Sequence, residues 1–299
     1  MHDYFRPVLI FTAMLGIALS NDRDAIAGRI LYVDASAPGN NPTTTWEDLS
    51  GQNSDFTAVG GVVHNGGTQS YSFNGTDAGF LGSNESLYDF DTEKAGVAQG
   101  TPFSVVLYYK NVGGATGSSG QAAVQKGDLN AFPNTAAWAI APRQDGDGGA
   151  NANSVDAVLQ GPNNRLYQRE KPLPGSPNTD FHLLAVTFDG SGDSSGTQLF
   201  FDGVSLGTPD TTIQSNLAQS IQNDSPIILA LATGAQSTDF WKGEIGFLEV
   251  WNEVLSPLAI VERWNDGSPL RAVPIPEPSS MILAICGVFG AGLLRRSRR

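Results

Sequence analysis

The chain has one cysteine, Cys286, and it sits in the last apolar stretch, so no disulfide can staple the body of the protein. Histidine is nearly as scarce: after residue 27 only His64 and His182 occur. No Cys–His pair and no Ser-His-Asp order can be assembled from so few. Basic residues are also short, 17 against 30 acidic, for a formal charge of −13. That balance excludes a nucleic-acid backbone as partner, because phosphate binding needs a basic patch. Charged residues make up only 16%, and no long helical period appears between Gly28 and about residue 256. What the chain does have is turn-forming residues, 35 Gly and 17 Pro, with 40% apolar residues, enough for a sizeable core. That composition suits many short strands joined by turns.

The stretch Phe181 to Thr208, FHLLAVTFDGSGDSSGTQLFFDGVSLGT, organises the rest. Leu184, Val186 and Phe188 alternate with Leu183, Ala185 and Thr187, the two-residue period of a strand. Asp189 to Gly196 then holds three glycines and three serines, which exclude helix and buried strand. A second run, Thr197 to Phe201, closes at Asp202-Gly203, a tight-turn signal because glycine accepts positive φ. The whole reads as an antiparallel hairpin with a further turn.

Candidate strands along the chain are 30–33, 70–73, 102–110, 122–126, 136–141, 155–160, 165–168, 183–188, 198–201, 226–232 and 244–251. The run 226–232 is apolar throughout, so both faces are expected to be covered. One helix is expected from Ser256, which can cap it, with Pro257 at the first helical position. Leu258, Val261 and Trp264 share the face expected to pack on the sheets, and Gly267 ends the helix.

Both termini differ from this body. Val8 to Leu19 is a short apolar run, and Ala25-Ile26-Ala27 is a small-x-small pattern, so residues 1–27 read as a secretory signal helix cleaved before Gly28. Residues 269–280 form a Pro-rich linker containing Pro276-Glu277-Pro278. Residues 281–299 combine an uncharged stretch, Met281 to Leu294, with Arg295, Arg296, Arg298 and Arg299. As a helix that stretch rises about 21 Å, short of the roughly 30 Å hydrocarbon core. The order of motif, apolar helix and basic end resembles the PEP-CTERM sorting signal. The resemblance implies a Gram-negative bacterium and cleavage by an exosortase-like enzyme after export through the secretion machinery. The protein would sit transiently in the inner membrane through its C-terminal helix, then at the cell surface or in the extracellular matrix. A plain tail anchor is the alternative. Two basic and three acidic residues precede Gly28 and four arginines follow Pro278, so residues 28–278 would carry about −16.

The hairpin at 181–208 and the later run Phe240 to Asn252, followed by Val254-Leu255-Ser256-Pro257, resemble the laminin-G-like, concanavalin A-like jelly-roll family. Trp46 to Gly51 and Tyr71 to Thr76 add to the match. The resemblance implies an all-β fold: one two-sheet antiparallel jelly-roll sandwich over residues 28–268, with one short C-terminal helix. Related glucanases carry carboxylates two residues apart on one strand face, as paired-carboxylate hydrolysis requires. Here Glu244 and Glu249 are five apart, which an unbroken strand would place on opposite faces.

Two loops offer oxygen ligands for calcium, which family members often hold at one rim. Asp145 and Asp147 alternate with glycines, and Asp189 is the second choice. Asp, Asn and Gly are equally the ordinary residues of turns. Trp138, Tyr108 and Trp241 lie on or beside strands and could stack on sugar rings or belong to the core. Three functions follow. The first is an exported, non-catalytic domain binding extracellular polysaccharide, another glycan or a surface protein. The second is a matrix component without a specific ligand; the third is a glycoside hydrolase.

Overall fold

The computed structural model describes residues 28–37, 44–83, 86–91, 93, 100–112, 122–127, 137–142, 154–161, 165–170, 173, 180–209, 211–212, 220–231 and 240–266. The expected signal helix and the apolar tail helix lie outside these residues. Among the described residues no helix is long and apolar enough to cross a membrane.

Strand β1 is Arg29–Asp34, β2 Thr45–Trp46, β3 Phe56–Val59, β4 Val63–Asn65, β5 Ser70–Asn74 and β6 Gly79–Leu81. Then come β7 Phe103–Asn111, β8 Val124–Lys126, β9 Trp138–Pro142, β10 Val155–Gln160, β11 Arg165–Glu170 and β12 His182–Phe188. The last are β13 Thr197–Phe201, β14 Val204–Gly207, β15 Thr211–Thr212, β16 Ile227–Leu229 and β17 Lys242–Trp251, before helix α1, Pro257–Asp266. They form two antiparallel sheets. One runs β14-β13-β12-β7-β17-β5-β4, with β1 also on β17; the other runs β15-β11-β10-β9-β8-β16-β6-β3-β2. This is the expected all-β jelly-roll sandwich with one short C-terminal helix.

Alternation builds the core. Val105, Leu107, Tyr109, Leu184, Val186 and Leu248 from the first sheet meet Trp46, Phe80, Trp138, Ile140 and Leu159 from the second. The two layers touch at Trp46 and Tyr71, ring centroids 4.7 Å apart, and at Phe103 and Trp138, 5.9 Å apart. Such rings each bury roughly 150–250 Å², so they dominate the cohesion between sheets.

The organising hairpin forms as its sequence requires. β12 pairs β13 from Leu184 opposite Phe201 to Phe188 opposite Thr197. Asp202 at φ 51° and Gly203 at φ 77° are both left-handed, the geometry of a two-residue hairpin turn into β14. Gly203 also lets helix α1 approach, since a Cβ there would stand 3.3 Å from Trp264.

The helix packs differently from its sequence pattern. Leu258 is 67% exposed, whereas Ile260 is fully buried with Phe200, Ala185, Val106 and Trp251 on the outer face of the first sheet. Ser256 caps the helix as expected, its Oγ accepting from the Ala259 N–H at 3.2 Å. The run 226–232 is strand only from Ile227 to Leu229, all buried; Ala230 at φ 59° breaks it.

Candidate functional site

The two glutamates of β17 share one face, against the unbroken-strand expectation. The register of β17 against β7 slips between Ile245 and Phe247. Gly246 is the extra residue of this bulge, and only glycine fits, because a Cβ would stand 2.8 Å from the Tyr108 ring. The slip reverses the alternation. Ile245 and Leu248 both point into the main core, while Phe247 joins the outer cluster under the helix. Glu244, opposite Lys110, and Glu249, opposite Val106, therefore both stand on the outer face. Four strand steps separate them, about 13 Å. Paired-carboxylate hydrolysis works at roughly 5–9.5 Å.

Glu249 is closed off. Its Oε1 accepts from Arg29 Nη1 at 2.9 Å, and its Oε2 accepts from Arg263 Nε at 2.7 Å and Trp251 Nε1 at 3.0 Å. The Arg263 guanidinium lies 4.3 Å over the Trp251 ring, and that of Arg29 lies 4.2 Å over Tyr32. The carboxylate thus ties β1, β17 and α1 together.

Glu244 lies at the other end of the strand among neutral donors. Its Oε2 accepts from Ser70 Oγ at 2.6 Å, Thr68 Oγ1 at 3.1 Å and Asn65 Nδ2 at 3.2 Å. Lys110 Nζ stands 3.6 Å from Oε1. Burial alone would push this carboxyl up; the bonds from Ser70, Asn65 and Thr68 and the charge of Lys110 outweigh it and hold the group below its ordinary value. It is a fixed anion and a poor general acid. Beside it Lys110 lies 5.9 Å from the half-buried Phe181 ring, which stacks on Tyr108 at 5.0 Å. A carboxylate, an ammonium, a carboxamide, hydroxyls and a partly open ring therefore share this end of the outer face.

Asn65, Thr68 and Ser70 escaped the sequence reading because β4 has only three residues. The signal was present: Asn65-Gly66-Gly67 between two short alternating runs marks a hairpin.

Several expected site residues sit elsewhere. Trp138 and Trp241 are 0% and 1% exposed in the main core, and Tyr108 is sandwiched between Phe181 and Phe247. None of these three rings offers a face to solvent, so stacking on a sugar is corrected to packing. Asp189 turns inward on its own loop, its Oδ1 accepting from Ser191 N at 2.8 Å and Ser191 Oγ at 2.6 Å. The cavity beside it, lined by Asp193, Thr101 and Thr197, is about 10 Å³, room for one water. Among the described residues no cluster of three metal-ligating side chains occurs. Asp145, Asp147, Ala25, Ala27 and the motif Pro276, Glu277, Pro278 lie outside the described residues. Gly28 is described; its carbonyl accepts from the Asn252 N–H at 2.9 Å.

The fold is a bulged two-sheet jelly-roll sandwich with a helix on its outer face. The family model for the concanavalin A-like lectin/glucanases superfamily, Laminin_G_3, matches residues 112–261, half of the chain, and the chain belongs to that superfamily. No curated protein matches it. Among solved structures it is similar to the binding domain of botulinum neurotoxin DC in complex with rat synaptotagmin II, at 16% identity and TM-score 0.51. That match covers 80% of this chain and 51% of the other, so the chain spans about half of the toxin domain's length. Domain 4 of AbnA, a GH43 extracellular arabinanase from Geobacillus stearothermophilus in complex with arabinotriose, matches at 14% identity and TM-score 0.51. There 79% of this chain and 97% of the other are covered. Trypanosoma rangeli sialidase matches at 14% identity and TM-score 0.52, over 82% of this chain and 34% of the other. At these identities the likeness is one of fold.

Proposed function

We propose that this protein is an exported, non-catalytic binding module that holds a glycan or a surface protein through the outer face of its first sheet near Glu244. One observation carries the reading. The two glutamates on that face stand four strand steps apart, about 13 Å along the strand, wider than the spacing paired-carboxylate hydrolysis uses. One is locked between arginines and the other is held ionised by neutral donors. Hydroxyls, a carboxamide and a partly open aromatic ring are what saccharide recognition uses. Structural neighbours described as a toxin binding domain in complex with synaptotagmin II and as an arabinotriose-bound domain support binding over catalysis. A glycan array probed with the full chain tests this: selective binding with no released reducing ends is expected. Uniform silence would favour a matrix component without specific ligand.

The address belongs to the same proposal. Residues 1–27 direct export with cleavage before Gly28, and Pro276-Glu277-Pro278 presents an extended segment to an exosortase-like enzyme. The domain is then released to the cell surface or extracellular matrix. Mass spectrometry of the mature protein checks it. Ends at Gly28 and near Pro278 are expected. A retained Arg299, or processing that survives alanines at 276–278, would make the tail a simple anchor.

A further inference from the structure

The same end of the first sheet is polar on its inner face as well. Tyr109 and Asn111 follow each other inward along β7, with His182 beside Tyr109 on β12 and Gly243 opposite Asn111 on β17. Trp241, two residues before Gly243, places its ring 6.4 Å from that of Tyr109. Tyr109 and Asn111 are fully buried and Trp241 is 1% exposed. Yet Tyr109 Oη, Asn111 Oδ1 and Nδ2, His182 Nε2 and Trp241 Nε1 are all buried without a hydrogen-bond partner among the described residues. Five such atoms from four adjoining side chains depart sharply from the rule that buried polar groups are paired.

The chemistry of the missing partner can be read from the set. Trp241 Nε1 and the Asn111 amide donate, Asn111 Oδ1 accepts, and Tyr109 Oη does either. His182 Nδ1 lies 2.8 Å from Asp202 Oδ2, and its Nε2 is left to donate or to accept. A hydroxyl, donor and acceptor in one atom, matches such a mixed set. The carboxylate of Asp202 stands against the cluster, and burial, then its charge, holds the Tyr109 phenol well above its ordinary value, neutral. An anion would be repelled there, and Lys110 faces the opposite side of the sheet.

We propose that Tyr109, Asn111, His182 and Trp241 form a second site, inside this end of the sandwich, that binds neutral hydroxyls. These come from a saccharide or from ordered water. The saccharide source rests on the glycan reading above; the hydroxyl chemistry does not.

The test uses the full chain with Tyr109→Phe and, separately, Asn111→Leu, followed by thermal melting and by calorimetric titration with arabinotriose. Tyr109→Phe removes one oxygen and keeps the ring, so a packing defect does not confuse it. With a hydroxyl in the site, melting of Tyr109→Phe falls by about 2–4 °C, because a satisfied bond is lost. A saccharide source also weakens arabinotriose binding about tenfold or more in both variants, and that loss supports the site whatever melting does. A water source lowers melting and leaves any arabinotriose affinity at the wild-type value. If wild type binds no arabinotriose, the glycan reading suffers and melting alone decides this site. Unchanged or raised melting in Tyr109→Phe, with arabinotriose binding unaltered or absent, overturns the proposal.

Discussion

Glu244 and Glu249 lie on one strand and one face, yet the protein treats them in opposite ways. Glu249 meets two arginines and an indole N–H and is sealed beneath the helix. Glu244 meets a serine, a threonine and an asparagine, with a lysine at the longer distance of 3.6 Å. The difference separates a structural carboxylate from one available to a ligand. Two guanidinium groups and an indole N–H occupy three of the carboxylate's roughly four acceptor directions and fix three elements. Neutral donors keep Glu244 ionised while its surroundings stay partly open.

The strongest way to break the comparison is Glu249→Ala. It strands Arg29 and Arg263 in a mostly buried site, and such a loss costs about 3–5 kcal/mol. Denaturant unfolding should show it, with the helix loosening first. If the loss is below about 1 kcal/mol, the clamp is ornamental and the two carboxylates are alike. Glu244→Gln should cost less, about 1–2 kcal/mol, because its partners are neutral and partly hydrated. It should also change the pH profile. The Glu244 carboxyl is lowered on folding, so its contribution is present above the unfolded-state value and is lost as pH falls through the lower folded value. The variant should therefore flatten the acid limb of stability below about pH 4.3. Equal acid limbs in variant and wild type would contradict the assigned bonding.

The sandwich was legible from Phe181 to Thr208 because there the two-residue period, the Asp-Gly turn and the pairing agree. The shortest strands were not legible: Thr45–Trp46, Val63–Asn65 and Thr211–Thr212 are too brief to show a period. The shared face of the glutamates was hidden for a different reason. Periodicity assumes an unbroken strand, and Gly246 marks the bulge only once its partner strand is known. Trp138 and Trp241 likewise carry no sequence sign of which side of a sheet they take. For Leu258, helical spacing with Val261 and Trp264 suggested burial, but the sheet meets the helix along Ile260.

Smaller effects sharpen the same picture. Ser256→Ala removes the helix cap and should cost about 1 kcal/mol, additive with Glu244→Gln because the sites are separate. Because the Asp189 carboxylate is turned onto Ser191, millimolar calcium should leave melting unmoved through this loop. A rise in melting that chelator reverses and Asp189→Asn abolishes would place a cation there.

The central claim is that Glu244 marks a ligand face and performs no hydrolysis. It is tested by incubating the full chain with whichever oligosaccharide it selects from an array, then weighing both binding and product. The account predicts reversible binding, the oligosaccharide recovered intact, and an affinity about tenfold lower in Glu244→Ala with the fold retained. Reducing ends released by wild type and abolished by Glu244→Gln would contradict it.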